Sequence, residues 1–457
     1  MGEPSAAQAV KDGLEQRQRL LFRNTGMTLL ARFILLLLGI ASSAILARGL
    51  GPEGRGIYTL ALLIPTMAVT FAQLGVATST TYHVAKRTHT VGQVLSSNML
   101  LALLLGAGGG VGAALVVAFF RDAVVPGVPF RLLAVGLLLI PLELVLAYTE
   151  SILQGLEEFV RYNAVQLLRP LLFIGALLAV FAWLPATPEP VIWLTLLVLV
   201  LTDAVVLGFV LKETKGWVWH PSRAYIRASL SFGARSHLGG IMTFLYLRVD
   251  MLLLNGMAGA AAVGYYAVAV SIVEKLAMLS QAVGVVLLPR AAADGRLPLR
   301  ESLTPVLFRA VLTVTALAGV LLWYLARSLV LTLYGSDFAD TIQPLQYLLP
   351  GIVALAGARV LGNEILGRGH PLVNTVSSGI ALAINVAFNL LWIPLWGASG
   401  AALASSLAYI SVLLFRVLAV GRLTGTSPLF LFQFSSADVA LYRTAVTYFG
   451  TRLQRRG

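Results

Sequence analysis

Residues 190–211 read PVIWLTLLVLVLTDAVVLGFVL, twenty-two positions with one ionisable side chain, Asp203. A helix rises about 1.5 Å per residue, so a run of this length reaches across a hydrocarbon layer of about 30 Å. Working outward, the same reading applies to 27–48, 57–80, 94–119, 130–151, 163–184, 231–256, 262–288, 303–326, 342–365, 372–395 and 398–420. Twelve such segments are too long for the strands of a membrane barrel. Every backbone polar group within lipid must be paired internally, and segments of this length achieve that as helices. The expected fold is therefore an all-α polytopic membrane protein with about twelve spans.

Composition leads to the same solvent. Hydrophobic residues make up 58% of the 457 positions, charged residues 12%, and mean hydropathy is +0.86. A soluble domain carries about 25% charged residues to cover its water-facing surface. The formal charge of +13 invites a nucleic-acid reading. The cations sit in short loops between apolar runs, where they act as topology determinants, so no nucleic-acid partner is expected. There is no cysteine, which excludes a disulfide framework, a thiolate metal site and a cysteine nucleophile. The polar stretch up to Arg23 precedes an apolar run without a small-residue cleavage site. It reads as an uncleaved cytoplasmic tail.

With that tail inside, alternate loops carry twenty Lys and Arg residues on the cytoplasmic side against five outside. This positive-inside bias predicts that both termini are cytoplasmic. The outside loops are short, the longest running from about Arg327 to Asp340, which leaves no room for an extramembrane catalytic domain. The expected organisation is a tail (1–26), a six-helix lobe (27–211), a cytoplasmic loop (212–230), a second six-helix lobe (231–420) and a tail (421–457). A shift of 208 positions lays Gly56-Ile57-Tyr58-Thr59-Leu60-Ala61 on Gly264-Tyr265-Tyr266-Ala267-Val268-Ala269, and Gln73 on Gln281. Two copies of six spans share orientation and would be related by an axis along the membrane normal. A substrate site is expected between the halves, near mid-membrane.

Soluble-enzyme motifs are missing. There is no phosphate-binding loop ending in Gly-Lys-Ser/Thr and no HExxH, so neither a nucleotide cofactor nor a metal is expected. Gly49-Leu50-Gly51-Pro52-Glu53-Gly54 matches GxGxxG but joins two spans and follows no strand, so it reads as a tight turn. Gly106, Gly108, Gly109, Gly110 and Gly112 read as close helix packing. Pro65, Pro141, Pro170 and Pro350 interrupt spans and predict kinks.

The informative residues are the charges inside spans, each costing at least roughly 2.5–3.5 kcal/mol at the bilayer centre on insertion scales. Arg32 in span one and Arg248 in span seven occupy equivalent spans of the repeat. Facing one cavity, they would grip a phosphate or pyrophosphate through forked, charge-assisted hydrogen bonds. The competing reading is a structural ion pair for Arg248, or an interfacial position for Arg32. Glu274, Met278 and Gln281 on span eight, and Thr66, Thr70 and Gln73 on span two, form polar stripes at helical spacing. They line a hydrophilic cavity or bind helices together. Arg359, Asn363 and Glu364 mark span ten in the same way. Asn374, Ser378, Asn385 and Asn389 mark a face of span eleven that reads as interhelical glue. Glu143, Glu150, Arg169, Asp203 and Arg309 are further intramembrane charges.

Arg23-Asn24-Thr25-Gly26, then Ala47-Arg48-Gly49-Leu50-Gly51-Pro52-Glu53-Gly54-Arg55-Gly56-Ile57-Tyr58, resembles the opening of Wzx-type polysaccharide-transporter flippases. These belong to the multidrug/oligosaccharidyl-lipid/polysaccharide exporter superfamily. Arg248-Val249-Asp250 through Gly264-Tyr265-Tyr266-Ala267-Val268-Ala269, and Gly397-Ala398-Ser399-Gly400-Ala401-Ala402, resemble that family too. The resemblance implies two six-helix lobes around a cationic cavity. It also implies translocation of an undecaprenyl-pyrophosphate-linked oligosaccharide across a bacterial cytoplasmic membrane, driven by an ion gradient or potential rather than ATP. On that footing Arg32, Arg248 and Arg359, with Gln73 and Gln281, are candidate substrate residues. Asp250 and Glu274 are candidate coupling residues for a proton or sodium ion. Membrane lipids and polysaccharide polymerase or glycosyltransferase machinery are the other expected partners. A peptidoglycan lipid-precursor flippase is a rival reading, although such relatives usually have fourteen spans, as is a multidrug exporter of the same superfamily. A membrane enzyme such as a polymerase would usually carry a large outside loop, and a scaffold would leave the intramembrane charges unexplained.

Overall fold

The structure is a computed structural model that describes residues 6–214, 216–293, 298–299, 302–434 and 438, excluding the side chains of 6–29, 123, 234–236 and 278–293. Of the loop cations counted above, Lys215, Arg296, Arg300, Arg443, Arg452, Arg455 and Arg456 lie outside the described residues. The helices are α1 (Ala6–Ala72), α2 (Val76–Ala85), α3 (Val91–Val124), α4 (Phe130–Leu137), α5 (Leu139–Gly155), α6 (Phe159–Trp183), α7 (Pro188–Glu213), α8 (Arg223–Ala293), α9 (Thr304–Tyr334), α10 (Ile342–Gly367) and α11 (Pro371–Thr424). No strand occurs among the described residues. Lipid-facing positions account for the many exposed large apolar side chains, such as Leu103 and Phe119 on α3 and Leu317 and Tyr324 on α9. In water such surfaces would be an aggregation liability.

Among the described residues, nine helical stretches are long and apolar enough to cross a membrane. Three of them, Leu30–Ala72, His237–Ala277 and Pro371–Thr424, run far beyond a single crossing. Each contains one glycine outside helical geometry: Gly51 (φ 65°), Gly259 (φ 82°) and Gly397 (φ 53°). Divided at these glycines, the nine stretches become the twelve spans expected from hydropathy. A Cβ at Gly51 or Gly259 would meet nothing within 4 Å, so what these sites require is conformational freedom. Their ψ angles of 178° and 174° place them in a region populated almost only by glycine. The 208-residue offset carries Gly51 onto Gly259 and Gly127 (φ 78°) onto Gly335 (φ 94°), so positive-φ glycines recur at the spacing of the expected repeat.

The chain divides between His237 and Leu238 into two compact units. In the first, α1 packs on α6 and α3, and α5 packs on α2, α3 and α7. Its core includes Leu95, Ile152, Val206 and Tyr225. In the second, α10 lies against both α9 and α11, around a core that includes Phe308, Val360, Leu361 and Val417.

The structure differs from the sequence reading at span two. Instead of continuing to residue 80, the helix stops after Ala72, and Leu74 (φ 44°) and Gly75 (φ 69°) turn the chain into α2. The turn brings backbone against backbone. A Cβ on Gly75 would lie 2.7 Å from the Gly233 backbone, and one on Gly233 would lie 2.1 Å from the Leu74 carbonyl. The α3 glycines also divide. Gly106 packs on Pro141 and Gly109 on Ala72, whereas Gly108, Gly110 and Gly112 face open space. Pro65, Pro170 and Pro350 lie inside α1, α6 and α10, while Pro141 follows the break between α4 and α5 at Leu138. Thr90 caps α3 reciprocally with Gln93, each side chain accepting from the other's backbone N–H at 3.3 Å.

Candidate functional site

Within the first unit, α5 and α6 present two polar rungs. Glu143 and Glu150 are seven residues apart on α5, and Gln166 and Arg169 are three apart on α6, so each pair shares a helix face. Arg169 forks onto the Glu143 carboxylate. Gln166 donates to Glu150 Oε2 at 2.8 Å. These four residues, with Leu146, Ala147 and Val165, line a cavity of about 140 Å³. Asp203 on α7 is buried within electrostatic reach of Glu143, Arg169 and Glu150, and neither of its carboxylate oxygens has a hydrogen-bond partner among the described residues. With all three carboxyls ionised, Arg169 leaves two negative charges uncompensated in a low dielectric. A proton or small cation would relieve that imbalance. Arg32 lies within electrostatic range of Tyr162, as does Glu150.

Gln73 sits in the turn after α1, where its carbonyl accepts from the Tyr148 hydroxyl at 3.1 Å. Thr66 and Thr70 donate back to carbonyls of their own helix, at 2.7 and 2.8 Å. The stripe therefore does not tie α1 to a neighbour through these hydroxyls.

In the second unit, Arg248 and Glu274 form an ion pair at 2.9 Å across the Gly259 turn of α8. Asp250 is fully buried. Its Oδ2 accepts from the Tyr266 hydroxyl at 2.5 Å and the Ser405 hydroxyl at 2.7 Å, and its Oδ1 accepts from the Met251 amide at 2.8 Å. Asn385 donates to Ser405 Oγ at 3.1 Å, and Asn389 donates to Asn385. Asn389 Oδ1 is buried without a hydrogen-bond partner among the described residues. The chain Asp250–Ser405–Asn385–Asn389 links α8 to both halves of α11. Ser378 pairs with Thr243 at 3.1 Å. Glu364 accepts from Thr304 and Arg368, each at 2.6 Å, and so braces the end of α10. Arg309 and Asp438, exposed by only 4% and 1%, form a two-point pair at 2.9 Å. The Gln281 side chain, like that of Met278, lies outside the described residues.

Arg359 donates from Nη1 to the Ala277 carbonyl at 3.4 Å. Arg416, which sequence reading did not single out, is buried on α11, bonded to the Ala358 carbonyl at 2.8 Å and Ser377 Oγ at 3.1 Å. Its signal in the sequence was a lone cation in span twelve. Tyr266 and Ser405 carried no comparable signal, because their role depends on Asp250 lying opposite them.

These clusters sit in helices long and apolar enough to cross a membrane, so the chain is a polytopic membrane protein that carries ionisable groups within its spans. The chain belongs to the family described as polysaccharide biosynthesis protein, whose profile matches residues 21–293. It is 25% identical over 285 residues to a Shigella flexneri protein named "Putative O-antigen transporter", covering 59% of this chain and 66% of that one. It is also 26% identical over 207 residues to an uncharacterised membrane protein of Methanocaldococcus jannaschii, covering 44% of this chain and 41% of the relative. The match thus spans less than two thirds of either relative's length. Among solved structures, its fold is shared with the lipid II flippase MurJ in an inward closed conformation, at TM-score 0.69 and 15% identity, over 93% of this chain and 98% of that one. An inward-facing multidrug-resistance MATE transporter of the MOP superfamily matches at TM-score 0.67 and 16% identity, over 86% and 96%.

Proposed function

We propose that the chain is a flippase that moves a lipid-linked oligosaccharide, joined to its polyprenyl carrier through pyrophosphate, from the inner to the outer leaflet of a bacterial cytoplasmic membrane. It is not an enzyme in this reading, and both termini are cytoplasmic. The observation that carries the reading is ionisable side chains retained inside spans of a chain belonging to a polysaccharide biosynthesis family. Such residues are costly in lipid and are kept where a polar cargo or an ion must pass. Arg32, Arg248 and Arg359 are the anion-binding candidates, and Gln73 and Gln281 are the further substrate candidates. An ion gradient or membrane potential supplies the energy. Asp250 and Glu274 are the coupling candidates expected from sequence, and Asp203, buried without a hydrogen-bond partner among the described residues, joins them. Polymerase or glycosyltransferase machinery would consume the translocated lipid.

One observation favours a second reading. The carboxylate excess around Asp203 would also suit a cationic solute, the cargo of a drug exporter on this fold. Proteoliposomes with a fluorescent polyprenyl-pyrophosphate oligosaccharide, assayed with and without an imposed proton or sodium gradient, separate the two. Gradient-dependent movement of the lipid is the expected result. Stationary lipid-linked sugars beside active efflux of a cationic dye would overturn the flippase reading.

A further inference from the structure

Five arginines of the second unit fall into two kinds. Arg309 pairs with Asp438, Arg248 with Glu274 and Arg368 with Glu364, each with a carboxylate at 2.9 Å or less. Arg416 is only 7% exposed, yet among the described residues it bonds only to neutral acceptors, the Ala358 carbonyl and the Ser377 hydroxyl. Arg359, among the described residues, has the Ala277 carbonyl alone. The two cations sense each other electrostatically, and both act on the buried hydroxyl of Tyr246. Two like charges held together in the membrane interior are destabilising unless an anion joins them.

The packing keeps a space for the guanidinium. A Cβ at Gly362 would stand 2.6 Å from Arg416 Nη1, so the group lies against bare α10 backbone and no other residue could occupy that position undisturbed. Arg359 lies eight residues before the end of α10, Arg416 eight before the end of α11, and Ser377 six after its start. At about 1.5 Å per residue, all three sit roughly 9–12 Å from the same end of the helices. The charge bias of the loops assigns that end to the cytoplasm, the face from which a cytoplasmically made lipid would enter.

We propose that Arg416 and Arg359 form a phosphate-binding site that captures the pyrophosphate of the substrate on its entry side. Planar guanidiniums with spare N–H donors match phosphate oxygens two at a time, which a lysine cannot reproduce. The inference rests on the flippase reading and adds to it a residue and a location.

The test uses the purified full-length protein in nanodiscs of phosphatidylcholine. Inorganic pyrophosphate, against chloride at matched ionic strength, should raise the thermal midpoint saturably. Arg416→Gln and Arg359→Gln should each weaken the apparent affinity at least tenfold, and the double variant should show no shift. Arg416→Lys, which keeps the charge and loses the fork, should fall between. If Arg416 merely braces α10 against α11, Arg416→Gln lowers the midpoint while the pyrophosphate shift survives. That result overturns the proposal, and Arg359→Gln, at a half-buried position, tests it independently should the Arg416 variants fail to fold. Nanodiscs containing phosphatidylglycerol separate the two sources of phosphate. Protection by that lipid with none by pyrophosphate would assign the site to a bilayer phospholipid and overturn the substrate assignment. In the proteoliposome assay, lipid translocation at the wild-type rate by the double variant overturns this inference while the flippase reading stands. A wild-type protein that binds pyrophosphate through these arginines yet moves no lipid-linked sugar overturns the flippase reading instead.

Discussion

At the scale of single residues, burial decides what each charge is worth. Arg248 and Glu274 are 28% and 36% exposed, and a pair this open to a water-filled cavity would contribute about 0.2–1 kcal/mol. Arg248→Ala should therefore leave the thermal midpoint nearly unchanged. If Arg248 and Arg32 grip the substrate, replacing both with Ala abolishes surface polysaccharide at normal protein levels, and intact export would remove them from the mechanism. Arg309 and Asp438 are the opposite case. Removing one partner strands a buried charge at a cost of about 3–5 kcal/mol. Arg309→Met should lose folded protein in detergent, measured by fluorescence-detected size exclusion, and Arg309→Met with Asp438→Leu should regain most of it. The Arg309 charge was readable in sequence, because any arginine in an apolar run needs an explanation. Its partner was not, because Asp438 lies 129 positions away in a polar tail.

At the scale of elements, the glycines carry the argument. Gly51 and Gly259 hold conformations that cost a non-glycine residue about 1–3 kcal/mol, with open space around them. Alanine at either should lower stability by that amount and leave packing intact. Gly233→Ala should be worse, since its Cβ would press on the Leu74 carbonyl where α8 crosses the turn before α2. Gly112→Ala on α3 should be neutral or stabilising by up to about 1 kcal/mol, because it sits in an open helix interior. Equal yields from all these variants in the same size-exclusion assay would mean that the backbone geometry matters less than these contacts indicate. Hydropathy alone located the turns at residues 51 and 259 as gaps between apolar runs. The break at Leu74 escaped it, since the flanking residues are as apolar as a helix interior.

At the scale of the whole molecule, the coupling step is the property to test. Asp203 is buried near Glu143 and Glu150 in the first unit with no hydrogen-bond partner among the described residues, and Asp250 lies in a hydrogen-bonded network in the second. If Asp203 exchanges the driving ion, Asp203→Asn should flatten the dependence of translocation on an imposed gradient without loss of folded protein. Asp250→Asn should cost roughly 1–3 kcal/mol of stability, by disturbing the hydroxyls that donate to it. Gradient dependence unchanged in both variants would exclude them as coupling sites. The sequence by itself determined the solvent and the helical class, and it supplied the twelve-span reading and the offset of 208 positions. These follow from local quantities, namely apolar run length, loop charge and a fixed offset, which no tertiary contact can reverse in lipid. Only the tertiary structure decided which charges are paired. It put Asp250 among Tyr266, Ser405 and Met251, gave Arg248 to Glu274, and left Arg416 and Asp203 without an ion-pair partner among the described residues. Pairing depends on distances between helices far apart in the chain, and hydrophobic periodicity, which orients each helix toward lipid or protein, does not specify the neighbour across it.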